Sequence, residues 1–185
     1  MTKSSANRLG ALALVLTDRL TGAIERELGI GGMAPAALMT IKVEESITIE
    51  KLAKILRLGQ SSMVRAVQAL EARGLVKKLP GKDRRTLLLK LTPAGRKMVS
   101  TLLTRRAAIV ERAFDAVPKK NRVAFAEGLD AMLEAMVEKA DDKYPTCRLC
   151  DEDVCGNFED CPVERSSLRI SDSASSARAR RERIA

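Results

Sequence analysis

The chain has 185 residues, 45% of them hydrophobic, which is enough apolar material for a packed core and too much for wholesale disorder. It holds no His, no Trp and only four aromatic residues, Phe114, Phe125, Phe158 and Tyr144; this excludes His-dependent catalysis, His-ligated metals and folds that read bases by stacking. The net charge of +9 is unevenly placed: residues 48–106 hold 15 Lys and Arg against 3 Asp and Glu, whereas residues 141–164 hold 2 against 8.

In chain order, residues 5–28 read as a helix, with Leu9, Leu12, Ala13, Leu16, Leu20, Ala23, Ile24 and Leu28 at helical spacing. Ala11, Leu14 and Val15 add apolar surface on its other sides, so the helix needs covering on more than one face, which points to a subunit interface. Gly29, Gly31 and Gly32 end it. A second helix starts at Pro35 and runs to about Glu45. A third covers 48–56, capped by Thr48, with Ile49, Leu52, Ala53 and Leu56 inward. After Gly59 a fourth runs from Ser61 to Arg73 on a stripe of Met63, Val64, Val67 and Leu70, and Gly74 closes it.

Two strands, Leu75–Leu79 and Thr86–Leu91, flank the turn signal Pro80-Gly81-Lys82-Asp83-Arg84-Arg85. Thr92 caps a fifth helix with Pro93 in its first turn. It runs to Pro118, and a sixth continues to about Lys139, with Phe125, Leu129, Met132, Leu133 and Met136 on one face. Residues 166–185 are Ser, Ala and Arg with almost no core-forming side chains, so they are expected to be disordered. No apolar run approaches the roughly 18 residues of a membrane span, and the N-terminus lacks the pattern of a secretory signal. A cytoplasmic location with no membrane partner is expected.

Helix, turn, helix and hairpin in this order describe a winged helix-turn-helix, in which the fourth helix would enter a major groove of double-stranded DNA. Its polar face carries Gln60, Ser61, Ser62, Arg65 and Gln68, short groups suited to base edges plus one guanidinium for guanine or phosphate. The hairpin tip, Lys82, Arg84 and Arg85, is cationic and long, and a narrow minor groove attracts such a tip. Asp83 among them would aim an arginine by hydrogen bonding.

These residues resemble a family. Gly59 through Val76 looks like the recognition helix of the MarR family and its exit, Asp83-Arg84-Arg85 is similar to that family's wing signature, and Leu91-Thr92-Pro93-Ala94-Gly95 matches the motif that follows the wing. The resemblance covers about residues 5–140. It implies a mainly α fold with a small β-hairpin wing, flanked by N- and C-terminal dimerisation helices. It further implies a homodimeric transcriptional regulator, a repressor on a pseudo-palindromic operator, with Ser62, Arg65 and Gln68 in the major groove and Arg85, buttressed by Asp83, in the minor groove. Many members respond to a small, often anionic or phenolic, effector, although this chain offers few aromatics to stack on one. On this reading residues 5–32 are the N-terminal dimerisation helix, 33–95 the DNA-binding domain, 96–140 the C-terminal dimerisation helices, 141–165 an acidic cysteine segment and 166–185 a tail. With no His, no Gly-rich phosphate loop and no serine nucleophile elbow, an enzyme is not expected.

All four Cys fall within 15 positions, as Cys147-x2-Cys150-x4-Cys155-x5-Cys161-Pro162. Such clustering reads as metal or redox chemistry rather than a disulfide framework. Four thiolates can close a tetrahedral Zn²⁺ site, the same four could hold an iron–sulfur cluster, and a reversible disulfide or inert thiols are further readings. The segment would therefore be a metal or redox module, or else a structural appendage on a regulator governed by a small molecule. The acidic neighbours Asp151, Glu152, Asp153, Glu159 and Asp160 read as solvating charge or as a contact for the basic face when DNA is absent.

Overall fold

The computed structural model describes residues 3–81, 83, 86–155 and 160–182, which form two units, Met1–Ala116 and Val117–Ala185. In the first unit, α1 (Lys3–Leu28) packs on α5 (Pro93–Asp115), and α2 (Ala34–Glu44) is the central helix. Ala34 to Met39 and Ile41 of α2 are all buried, so its N-terminal half is covered from every side, while Val43 near its end is exposed. Helices α3 (Ile49–Ile55) and α4 (Gln60–Ala72) pack on each other and on α2. The core is apolar: Leu38, Ile41, Ile47, Leu52, Met63, Val67, Leu70, Leu89 and Leu102 are all less than 2% exposed.

Strands β1 (Val76–Pro80) and β2 (Leu87–Leu91) pair antiparallel, Val76 opposite Leu91 and Pro80 opposite Leu87. Ile47 extends this pair at its edge. Leu89 N–H donates to Ile47 O at 2.8 Å, and Ile47 N–H returns a bond to Leu89 O at 3.4 Å. The hairpin is thus sewn to the residue that precedes α3.

Helix α1 ends where Gly29 takes a left-handed conformation, φ +62°. Its last carbonyls are satisfied from a distant segment: Arg73 donates to Leu28 O at 2.8 Å and to Gly29 O. Towards its N-terminus α1 leaves Leu9, Leu12, Leu14 and Val15 exposed; only Ala23, Ile24 and Leu28 of this helix are buried.

In the second unit a 3₁₀ turn (Lys119–Asn121) leads into α6 (Arg122–Ala135), which stops four residues short of the expected end at Lys139. The cause is local: Asp142 Oδ2 accepts from the amides of Glu138 at 2.9 Å and Lys139 at 2.7 Å, taking N–H groups that another helical turn would need. The expected apolar face is open in the chain, with Met132, Leu133 and Met136 exposed. After a second 3₁₀ turn (Ala140–Asp142) come α7 (Lys143–Cys147), α8 (Glu152–Cys155) and α9 (Pro162–Glu182).

The expected disorder of residues 166–185 is not what the described part of the tail shows, since α9 continues to Glu182. Composition counted core-forming side chains and missed two things. Ala, Arg and Glu favour helix, and Glu134 of α6 holds the first turns of α9 through Arg165 at 2.8 Å and Arg169 at 2.9 Å.

Candidate nucleic-acid interface and cysteine cluster

The turn between α3 and α4 is built by the backbone. Leu58 N–H donates to Ala53 O at 2.9 Å and Arg57 N–H to Lys54 O at 3.2 Å, closing the last turn of α3 in a Schellman arrangement. Arg57 sits in the left-handed position this requires, φ +53°, where glycine is the usual residue. Thr48 caps the other end, accepting from Lys51 N–H at 3.1 Å. The rigid turn sets the axis of α4, which buries Met63, Val67 and Leu70 completely. With that stripe inward, Gln60, Ser61, Ser62, Arg65 and Gln68 all lie exposed on the opposite side, as the periodicity requires. Gly59 precedes α4 in extended conformation and offers no side-chain cap, so the N-terminal turn presents backbone amides beside these polar groups.

The wing leaves this helix through Gly74, φ +66°. Lys78 of β1 pairs with Glu71 of α4 at 2.7 Å. At the far end Gly81 N–H donates to Thr86 O at 2.8 Å and Thr86 N–H to Asp83 O at 2.9 Å, closing the hairpin loop. Asp83 therefore sits in the tip by its backbone. Lys82, Arg84 and Arg85 lie outside the described residues.

Thr92-Pro93-Ala94-Gly95 does more than start α5. Thr92 Oγ1 accepts from Gly95 N–H at 3.0 Å and donates to Gly74 O at 2.6 Å, while Thr92 N–H donates to Leu75 O at 3.0 Å. Gly95 lies so close to the chain leaving α4 that a Cβ there would stand 2.0 Å from Leu75 O. The motif is a clasp between the end of the recognition element and the start of α5. Sequence reading identified the cap and missed the close approach; a glycine in the first turn of a helix was the available signal.

Residues 28–86, which include the helix-turn-helix and most of the wing, match the model of the MarR family. The segment is similar to the winged helix of the MarR family. Solved structures extend the likeness to about three quarters of the chain. RV1404 from Mycobacterium tuberculosis is 23% identical, with TM-score 0.66 over 75% of this chain and 97% of that one. The reduced form of MarR from E. coli is 27% identical, with TM-score 0.54 over 65% and 92%. An S. aureus MepR mutant bound to an oligodeoxyribonucleotide is 17% identical, with TM-score 0.58 over 74% and 99%. No curated protein matches the sequence. MarR-family members are transcription regulators rather than enzymes, and the chain carries their fold.

The cysteines lie beyond the MarR-family segment, in the second unit. Cys147 ends α7, Cys150 follows one turn later with its amide on Cys147 O at 2.8 Å, Cys155 ends α8, and Cys161 precedes α9 with its carbonyl accepting from Arg165 N–H at 3.0 Å. Cys147, Cys150 and Cys161 are half-buried and Cys155 is exposed. The Cys147 thiol is hydrogen-bonded with Cys150 and lies within electrostatic reach of Cys161 and Cys155. That hydrogen bond, then burial, then the neighbouring thiols hold its pKa above the ordinary thiol value. Among the described residues no three Cys, Asp or Glu side chains are already disposed as a ligand set. Beside Cys150, Asp151 Oδ1 is buried with no hydrogen-bond partner. Burial pulls the Lys143 ammonium down, yet its 2.7 Å pair with Glu164 outweighs this and leaves its pKa above the ordinary value.

Proposed function

We propose that this protein is a sequence-specific DNA-binding transcriptional regulator that acts as a homodimer in the cytoplasm, as a repressor on a pseudo-palindromic operator. The observation that carries the reading is α4 itself: a fully buried apolar stripe on one side and Gln60, Ser61, Ser62, Arg65 and Gln68 exposed together on the other. Ser and Gln side chains and a guanidinium at the N-terminal half of such a helix suit major-groove base edges. The wing would bring Lys82, Arg84 and Arg85 towards the adjacent minor groove, with Asp83 fixing the aim of an arginine. MepR, which shares the fold, is seen with an oligodeoxyribonucleotide, and that supports DNA as the partner.

A dimer is supported by the apolar residues that α1 leaves open, Leu9, Leu12, Leu14 and Val15. A second copy would remove this surface from water. Release from DNA would follow a small-molecule or redox effector.

Selection from a random DNA pool, followed by competition against unselected DNA, tests the reading. Preference for recovered sites of about 10³-fold or more is expected. Arg65→Ala should weaken those sites by about 1–3 kcal/mol and relax the preference at one position. Arg85→Ala should weaken all sequences alike. Equal affinity for selected and random DNA would refute a sequence-specific regulator, and a monomer in sedimentation at micromolar concentration would refute the dimer.

A further inference from the structure

The exit of α4 is held from two sides. On one side stands the start of α5: Thr92 Oγ1 donates to Gly74 O at 2.6 Å and Thr92 N–H to Leu75 O at 3.0 Å. On the other side stands the end of α1, and one side chain makes both bonds there. Arg73 Nη2 donates to Leu28 O at 2.8 Å, and Arg73 Nη1 donates to Gly29 O. The joint is close-fitting. Gly29 is left-handed, φ +62°, and a Cβ on it would stand 3.2 Å from Arg73 Nη1. A planar guanidinium fork serves two acceptors at once, a geometry that the single nitrogen of an ammonium does not reproduce. The acceptors lie at the C-terminal end of α1, where unpaired carbonyls and the helix dipole favour a cation.

The two helices that Arg73 joins carry the two faces used above. α1 leaves Leu9, Leu12, Leu14 and Val15 open and packs on α5, with Glu27 paired to Arg105 at 2.7 Å. α4 carries Gln60, Ser61, Ser62, Arg65 and Gln68, and Arg73 is its C-cap, at the opposite end from Gln60. A guanidinium engaged with two protein carbonyls at that end is not aimed at base edges.

On the dimeric-regulator reading above, we propose that Arg73 is a positioning residue for DNA recognition: it fixes the angle of α4 to α1, and thereby the separation of the two α4 helices in a dimer joined through α1. In such a dimer the α1 helices belong to the shared framework, and each α4 is held to it at its exit. One base pair inserted between half-sites moves the second groove by about 3.4 Å and turns it by about 35°. A joint that holds α4 at a fixed angle rejects that change, and a loosened joint follows it. Arg73 therefore acts on the spacing of half-sites and leaves the choice of bases within each to the polar face of α4.

The test uses the full chain and the site recovered by selection, rebuilt as duplexes with one or two base pairs added or removed between half-sites. Wild-type protein should prefer one spacing by about tenfold or more over spacings two base pairs away. Arg73→Ala should lose about tenfold at the preferred spacing and about twofold or less at the shifted ones, so that its profile flattens. Arg73→Lys should fall between. Gly29→Ala keeps the arginine and its charge but presses on the guanidinium from the α1 side, so it should flatten the profile too, and should add little to Arg73→Ala. Base preference within a half-site and sedimentation as a dimer should match wild type in every variant. If Arg73→Ala fails to fold by its thermal transition, Arg73→Lys and Gly29→Ala decide. Equal loss at every spacing in Arg73→Ala, with a salt slope shallower by about one and Gly29→Ala unaffected, would make Arg73 a phosphate contact and overturn the proposal. Wild-type profiles in the variants would overturn it as well. A wild-type protein that keeps its base preference but accepts every spacing alike would overturn the proposal and leave the regulator reading standing, whereas the absence of any base preference would overturn both.

Discussion

The two units solve the same problem with different physics. Before Ala116 the chain buries nine large apolar side chains almost completely, from Leu38 in α2 to Leu102 in α5. After it, the buried apolar residues among those described are Val137 and Val163, with Ser166 and Ser167 beside them. What ties the second unit is polar: Glu134 with Arg165 and Arg169, Lys143 with Glu164, Asp142 with the amides that end α6. Apolar burial is insensitive to salt and pH, whereas ion pairs near the surface respond to both. A helix that must hold a fixed angle to a DNA groove belongs on the first kind of scaffold. The second kind can be remodelled by a bound ion or a changed charge.

Four substitutions or conditions press on this contrast, from the largest effect to the smallest. Leu70→Ala, which hollows the core beneath α4, should cost about 2–5 kcal/mol in denaturant unfolding of the first unit. A loss below about 1 kcal/mol would mean that this core is looser than its burial implies. Gly95→Ala should come next, at about 1–3 kcal/mol, because the added methyl must displace the backbone at Leu75. The chain leaving α4 is what moves, so affinity for DNA should fall with stability.

Gly128 in α6 is the counter-case: a Cβ there meets nothing within 4 Å. Gly128→Ala should therefore raise stability by about 0.5–1 kcal/mol, through helix propensity alone. Destabilisation would show that a second copy covers this side of α6. The mildest effect should come from acid. Hydrogen bonds from Arg165 and then Arg169 hold Glu134 below the usual carboxylate range. A depressed pKa in the folded state stabilises at neutral pH, and the contribution disappears as pH falls through that lowered value. Amide exchange in α9 should accelerate over that acidic window while exchange in α2 does not, and Glu134→Gln should reproduce the α9 change at neutral pH. Equal acceleration in both helices would erase the distinction between the units.

Much of the first unit was legible in the sequence because its signals are local. Met63, Val67 and Leu70 recur at helical spacing, Thr48 and Thr92 are caps, and Pro80-Gly81 begins a turn. These fix α3, α4, the hairpin and α5 to within a residue or two. What could not be read is what depends on distant partners. Arg73 reaching Leu28 and Gly29, Ile47 bonded to Leu89, and Gly95 against Leu75 each join residues whose sequence separation hides the contact. Arg57 in a left-handed turn was hidden for another reason: glycine would have announced the conformation and arginine does not. In the second unit hydropathy carries little information, because little is buried. The ends of α6 and α9 are set by Asp142 and Glu134, single carboxylates whose effect no periodicity reveals.

The pair of hydrogen bonds between Ile47 and Leu89 has a further consequence for how such a protein can change over generations. It clamps the middle of β2 to the entrance of α3, so the hairpin inherits its bearing from the same framework that aims α4. The loop from Gly81 to Thr86 is then free to vary in chemistry without steering the rest. A lineage can rewrite which phosphates or grooves the tip favours, one side chain at a time, while the direction in which the hairpin points stays constant.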